Sequence, residues 1–231
     1  MYEPSTAYRT PAAIGWSNTQ TETFLARVYR WMAIGLGITG VTAMGVASSD
    51  VLRQLIFGTP LFFALIIGQL VLAMAFTPLV GRVSTPVAGG LFALYAALTG
   101  ATISSIFWRY TQDSIAATFF VTAGSFAAMS AWGLLTRRSL ASWGSFLFME
   151  LFGIVIASVV NLFLGSTMIM WVVSLASVVV FTGLIAYDTQ RLKDLAPSAG
   201  PNGAIHGALM LYLDFINLFL ALFRLFGSRR D

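Results

Sequence analysis

Apolar and polar positions alternate along this chain in long blocks. Seven stretches of roughly 20 residues have middles almost free of charge, running approximately 24–47, 60–80, 87–108, 115–135, 143–164, 168–190 and 206–226. That is the length of helix a bilayer core requires. The breaks between them are short and polar: Ser48-Ser49-Asp50, Gly81-Arg82 with Pro86, Arg109 to Asp113, Arg137-Arg138-Ser139, and Gly165-Ser166. The longest break, Lys193 to Gly203, holds Pro197, Gly200 and Pro201. The pattern predicts an all-α membrane protein with seven transmembrane helices. Its parts are a polar tail over 1–23, one integral domain over 24–226 and a short tail over 227–231.

Composition agrees. Hydrophobic residues make up 58% of the chain and charged residues 10%, where a soluble domain carries about 25%; the mean hydropathy is +0.82. The net charge of +4 comes from basic residues in the breaks, which is a topology signal and not a nucleic-acid face. With no cysteine and a single histidine, His206, thiol chemistry, disulfides and His-rich or cysteine metal centres are excluded, and no cofactor is expected. The tail 1–23 lacks the short apolar core of a cleaved signal peptide, so the first apolar block is expected to remain as a helix.

Orientation follows from Lys and Arg. With the N-terminus inside, the cytoplasmic face holds Arg9, Arg27, Arg30, Arg82, Arg137, Arg138, Arg191 and Lys193; the other face holds Arg53, Arg109, Arg224, Arg229 and Arg230. Eight against five predicts a cytoplasmic N-terminus. A last segment that turned back would sharpen the bias, but its length favours a full crossing. Small residues recur every four positions on the third span (Gly89, Ala93, Ala97, Ala101, Ser105) and the fifth (Gly153, Ala157, Asn161, Gly165). Such stripes let helix backbones approach closely, either within a tight bundle or at an oligomer interface.

The chemistry concentrates in two acids, Asp188 in GLIAYDTQRLKDL and Asp214 in LMLYLDFINLFLALFRLFG. An ionised carboxylate at a helix centre costs about 2.5–3.5 kcal/mol on insertion scales, so two that persist on consecutive spans point to use. Asp188 lies seven residues before Leu195, where Pro197 should end the helix; Asp214 lies eight after His206. At 1.5 Å per residue these depths are roughly 10 and 12 Å from one face, so the carboxyls can meet in its half of the membrane. Two carboxyls in contact share a proton and titrate as a pair. The alternative is that each merely caps a helix end, which suits Asp188 beside Arg191 better than Asp214 deep in an unbroken apolar run. Glu150 is the third acid inside a span. It either lines a water-filled path or stays protonated against its neighbours, and the second is expected. His206 is a solvated residue at a helix mouth or a modulator of pH response.

The segments GLIAYDTQRLK and LYLDFINLFLALFRLFG resemble the two signature segments of the Bax-inhibitor-motif membrane proteins, and the likeness extends to seven spans and a short polar N-terminal tail. The resemblance implies six helices around a central C-terminal helix, in a bacterial inner (plasma) membrane. It also implies a pH-responsive calcium leak, or a leak of other cations, sensed by a hydrogen-bonded aspartate pair, here Asp188 and Asp214. In such proteins a basic residue at the end of the second span latches onto the pair in the closed state. Arg82 is its match by spacing, though a loop arginine is otherwise a topology marker. Calcium-conducting members also carry an acid in the second span, where this chain has Gln69.

Rival classes fare worse. An intramembrane aspartyl protease also needs two acids on adjacent helices, but its Gly-x-Gly-Asp element is missing, since Leu211-Tyr212-Leu213 precedes Asp214. The sole lysine, Lys193, lies in a break, which excludes a retinal pigment, and serine proteolysis lacks a histidine partner. The chain is therefore not expected to be an enzyme. A regulatory alternative remains, because some bacterial relatives bind and slow a membrane-anchored ATP-dependent protease. The tail 1–23 would then be the handle.

Overall fold

The computed structural model describes residues 16–228 of the chain. Nine helices follow in order: α1 (Trp16–Ala47), α2 (Asp50–Phe57), α3 (Leu61–Val80), α4 (Thr85–Ile103), α5 (Ile106–Arg109), α6 (Gln112–Leu135), α7 (Ala141–Leu164), α8 (Thr167–Leu195) and α9 (Gly203–Phe226). Seven are long and apolar enough to cross a membrane, α4 with α5 counting as one span. The expected spans are all present, with ends that differ by a few residues. α1 begins at Trp16, so residues 16–23 are helical; residues 1–15 and 229–231 lie outside the described part.

The ends obey local chemistry. Pro86 opens α4, where its missing N–H costs nothing. The side chains of Thr111 and Ser166 accept from Ser114 N and Ile169 N at the starts of α6 and α8. Between α7 and α8, Gly165 adopts φ +60°, a left-handed turn suited to glycine, and the Asn161 side chain accepts from Ser166 N at 2.9 Å. The break after the first span leads into a further short helix. Ser49 accepts from Leu52 N and starts α2, whose Ile56 is buried against Val46 and Ala101. Its Arg53 pairs with Asp50 and lies 5.6 Å from the centre of the Trp108 ring. At eight residues α2 is too short to cross, and it lies at one end of the bundle.

α9 is the most buried span, with Ala208, Leu211, Tyr212 and Leu218 fully enclosed. It packs along α8, α1 and α6 and touches α4 and α3. α7 packs on α8, so the ring around α9 consists of α1, α3, α4, α6 and α8, and α7 stands outside it. Most side chains of α7 face outward, Leu162 and Phe163 being more than four-fifths exposed, while Leu147 is buried against α8. Lipid tails are as apolar as leucine, so outward-facing side chains like these cost nothing there, and helices associate by close packing.

Glycine sites mark where that packing is tightest. A Cβ on Gly100 would come 2.5 Å from the Thr39 carbonyl oxygen, so α1 and α4 meet backbone to backbone. The small-residue stripe on α4 is used there and at Gly89, which lies under Trp31. On α7, by contrast, Gly153 meets nothing within 4 Å.

The last helix runs the full height of the bundle. At its start, Asn202 donates to Val80 O and Val83 O, both at 2.8 Å, beside the α3–α4 turn. At its end, Ser228 N donates to the Ser114 hydroxyl at 3.0 Å, beside the start of α6. The two ends of α9 therefore lie on opposite faces of the bundle.

Candidate functional site: a buried acid pair

Asp188 and Asp214 are brought together. Each is only 5% exposed, and their carboxyls lie close to each other across the α8–α9 contact. α9 starts three residues earlier than its apolar block suggests, so Asp214 lies roughly 16 Å along the helix from Gly203. α8 compensates by continuing into a 3₁₀ turn over Ala196–Ser198. Neither carboxyl caps a helix end among the described residues. Asp188 Oδ1 and Asp214 Oδ2 are buried without a hydrogen-bond partner. Leu184 and Ile185 on α8 and Leu211 on α9, each about one turn from an aspartate, are buried and apolar. An unpaired carboxylate buried in such surroundings is strongly disfavoured, because burial strips its solvation without replacing it.

α8 is held firmly near this point. Gly133 of α6 lies directly against the Ala186 carbonyl. The hydroxyls of Ser130 and Thr189 are 3.2 Å apart and hydrogen-bonded. Gln190 accepts from Leu140 N at 2.7 Å and donates to Arg138 O at 3.0 Å, and the Lys193 ammonium donates to Leu134 O at 2.8 Å. α8 is thus bolted to α6 and the turn after it. α9 has no comparable polar attachment at the level of the pair, although Tyr212 sits within hydrogen-bonding reach, 2.6 Å from the Thr39 hydroxyl on its other side.

The remaining residues singled out in the sequence fall elsewhere. Arg82 is exposed on the α3–α4 turn, with no side-chain hydrogen bond or ion pair among the described residues, and this conformation does not bring it to the aspartates. The cause is local: Asn202 clamps the carbonyls that flank Arg82, which leaves its side chain outside. Arg191 stands one turn after Asp188 on α8 and is exposed, with no ion pair between them. His206 Nε2 lies 3.1 Å from the Thr77 hydroxyl. Gln69 is satisfied by its neighbours, donating to Leu65 O, Leu98 O and the Thr102 hydroxyl and accepting from Thr99 at 3.3 Å.

Glu150 is half-buried on α7. Gly144 lies against Tyr187, and Leu147 against Gly183. In that antiparallel register Glu150 is level with residue 180, roughly 12 Å along α8 from Asp188. The two sites are separate. Among the described residues no group of three or more acids or histidines could hold a metal ion.

Sequence reasoning missed Asn202, Gln190 and the Thr39–Tyr212 bond. Only their polarity next to apolar runs signalled them, and a polar residue near a helix end reads as solvated until its partner is known.

The fold and site define a polytopic α-helical membrane protein with a buried acid pair on its last two spans. The chain belongs to the Bax inhibitor family: the family described as inhibitor of apoptosis-promoting Bax1 matches residues 21–231. It is 48% identical over 217 residues to the inner membrane protein YbhL of Escherichia coli, covering 90% of this chain and 93% of that one. A protein of Borreliella burgdorferi is 43% identical over 215 residues (90% and 93% covered), and one of Rickettsia prowazekii is 43% identical over 213 (90% of each).

Proposed function

We propose that this protein is a proton-gated cation leak of a bacterial inner membrane, with calcium as the ion and a cytoplasmic N-terminus. The observation that carries the reading is the closeness and burial of Asp188 and Asp214, each 5% exposed, on the last two spans.

The switch follows from the chemistry of the pair. With one proton between them, the carboxyls hold α9 to α8. When that proton leaves, like charges in a poorly solvated site repel and the contact weakens. α8 is bolted to α6 by Gly133, Thr189, Gln190 and Lys193, so α9 is the helix that shifts. Because α9 fills the centre of the ring, a small displacement opens space along the bundle axis. Arg191, one turn along α8 from Asp188, is the cation that would take the freed carboxylate. The proton count of the pair is thus a bias on a two-state helix contact.

The test is calcium flux into liposomes containing only this protein, measured across pH. Flux that depends on pH supports the reading. Absence of flux above empty liposomes at every pH overturns it.

A further inference from the structure

The central helix is also tied on the side opposite the acid pair. Tyr212 is fully buried, and its hydroxyl lies 2.6 Å from that of Thr39 on α1, itself 3% exposed. The Thr39 hydroxyl reaches two backbone carbonyls as well, Gly35 O of its own helix at 2.9 Å and Ala96 O of α4 at 3.0 Å. Carbonyls only accept, so the single Thr39 proton is committed to them and Tyr212 is the donor to Thr39. The chain of bonds runs from α9 to α1 and on to α4. We infer that the Tyr212–Thr39 bond is a second hold on α9, which must break before the helix can shift and so sets the pH at which the acid pair releases it. The inference rests on the gating scheme proposed above, and Tyr212 is a positioning residue in it.

Tyr212 and Asp214 are two residues apart, about 200° of rotation and about 3 Å of rise in a helix. They point to opposite sides of α9 at nearly one level, Asp214 towards α8 and Tyr212 towards α1 and α4. Both walls are fixed. α8 is bolted to α6, and a Cβ on Gly100 of α4 would come 2.5 Å from the Thr39 carbonyl oxygen, so α1 and α4 are already in contact there. Phe92 and Tyr95 meet the Tyr212 ring edge to face, with centroids 5.7 and 6.0 Å away, and a Cβ on Gly35 would lie 3.3 Å from it.

α9 therefore has no room to move straight towards α1 and α4, and a helix leaving α8 must rotate or slide. Either motion draws the phenol off Thr39, because an O–H···O contact of this kind is lost once the oxygens separate by roughly 1 Å more. A hydroxyl released among buried aromatic rings has no water to bond, so the hold opposes opening at every pH.

The sign follows. The shared proton favours the closed contact, so flux rises with pH. Removing a hold that does not itself titrate lets α9 shift at a lower degree of ionisation, and the midpoint moves to lower pH. One buried neutral hydrogen bond changes the closed-to-open ratio about fivefold, which is up to about 0.7 of a pH unit. The other ionisable groups are left in place by the variants below. Tyr95 of α4 stands beside the ring, Tyr29 of α1 lies against Phe126, and Arg27 and Arg30 are exposed near the start of α1. On α8 they are Tyr187 against Gly144 of α7, Asp188, and exposed Arg191, Lys193 and Asp194; on α9 they are His206 beside Thr77, and Arg224 near the far end. α3 carries none, and α6 none after Asp113.

The experiment measures calcium flux into liposomes across pH for Tyr212→Phe, Thr39→Val and the double variant. Thr122→Val is the comparison, since Thr122 is equally buried but its hydroxyl donates to Thr118 O of its own helix at 2.7 Å. Movement of α9 is read separately through Ala208→Cys, a fully buried position on α9 in a chain without cysteine. Its rate of reaction with a small thiol reagent is divided at each pH by that of the denatured chain. Tyr212→Phe and Thr39→Val should each move the flux and labelling midpoints about 0.7 of a unit towards acid. The double variant should add little, because both changes remove one bond, and Thr122→Val should move neither midpoint. The inference is overturned if the labelling midpoint stays in place in both single variants, or moves as far in Thr122→Val. Labelling that shifts as expected without flux in any variant would remove the ion leak and keep the hold on α9. Flux that depends on pH with unmoved midpoints would do the reverse. Labelling that does not change with pH in the otherwise unaltered chain overturns both.

Discussion

A Cβ on Gly133 of α6 would overlap the carbonyl oxygen of Ala186, two residues before Asp188. This contact sets how α8 is held as it presents its carboxyl to α9. Gly133→Val should therefore force the helices apart where nothing can yield, since the atom met is backbone. Overpacking of this kind costs about 1–3 kcal/mol, seen as a lower thermal midpoint of the purified protein. Gly153→Val, which meets nothing within 4 Å, should leave the midpoint in place. Equal effects at the two positions would show that the approach of α6 to α8 is not tight.

Asp188→Asn and Asp214→Asn should each remove most of the pH dependence of cation flux. A carboxamide can donate to the remaining carboxylate or accept from the remaining acid, so the α8–α9 contact no longer depends on a proton. The double variant should add little, because both changes act on one contact. Liposome flux across pH is the measurement. An unaltered pH response in a folded Asp214→Asn protein would defeat the gating scheme.

Glu150 lies on the helix outside the ring, about two turns from the acid pair, and Glu150→Gln should leave both folding and flux nearly unchanged. Amide and acid are close in shape and in hydrogen-bonding reach. A large loss of flux with normal thermal stability would make Glu150 part of the ion path.

Orientation can be read with single cysteines, because the chain has none of its own. Cysteines at Arg82, Arg138 or Lys193 should resist membrane-impermeant thiol reagents in intact cells, while one at Asp50 should react. The reverse pattern would put the N-terminus outside and move the acid pair to the other half of the membrane.

The number of spans, their approximate ends and the two acids were legible in the sequence. A bilayer makes backbone polarity so costly that long apolar runs have essentially one solution, and an intramembrane carboxylate stands out against them. The order of packing was not legible. Nothing in the composition of α7 distinguishes it from a ring helix, because in lipid an outward face and an inward face can be equally apolar.

Short-range chemistry alone places caps and breaks, as Ser166, Gly165 and Pro197 do. Whether a polar residue near a break is solvated or structural depends on residues far away in the chain. Asn202 finds its partners at Val80 and Val83, Gln190 at Arg138 and Leu140, and Tyr212 at Thr39. The same holds for the cation beside Asp188. Spacing matches Arg82 to that role, while in this conformation Arg82 is exposed on the α3–α4 turn beside the Asn202 clamp and Arg191 lies one turn along α8 from Asp188. Sequence determined which groups the membrane must accommodate; only tertiary contacts, whose distances no local spacing encodes, decided which of them touch.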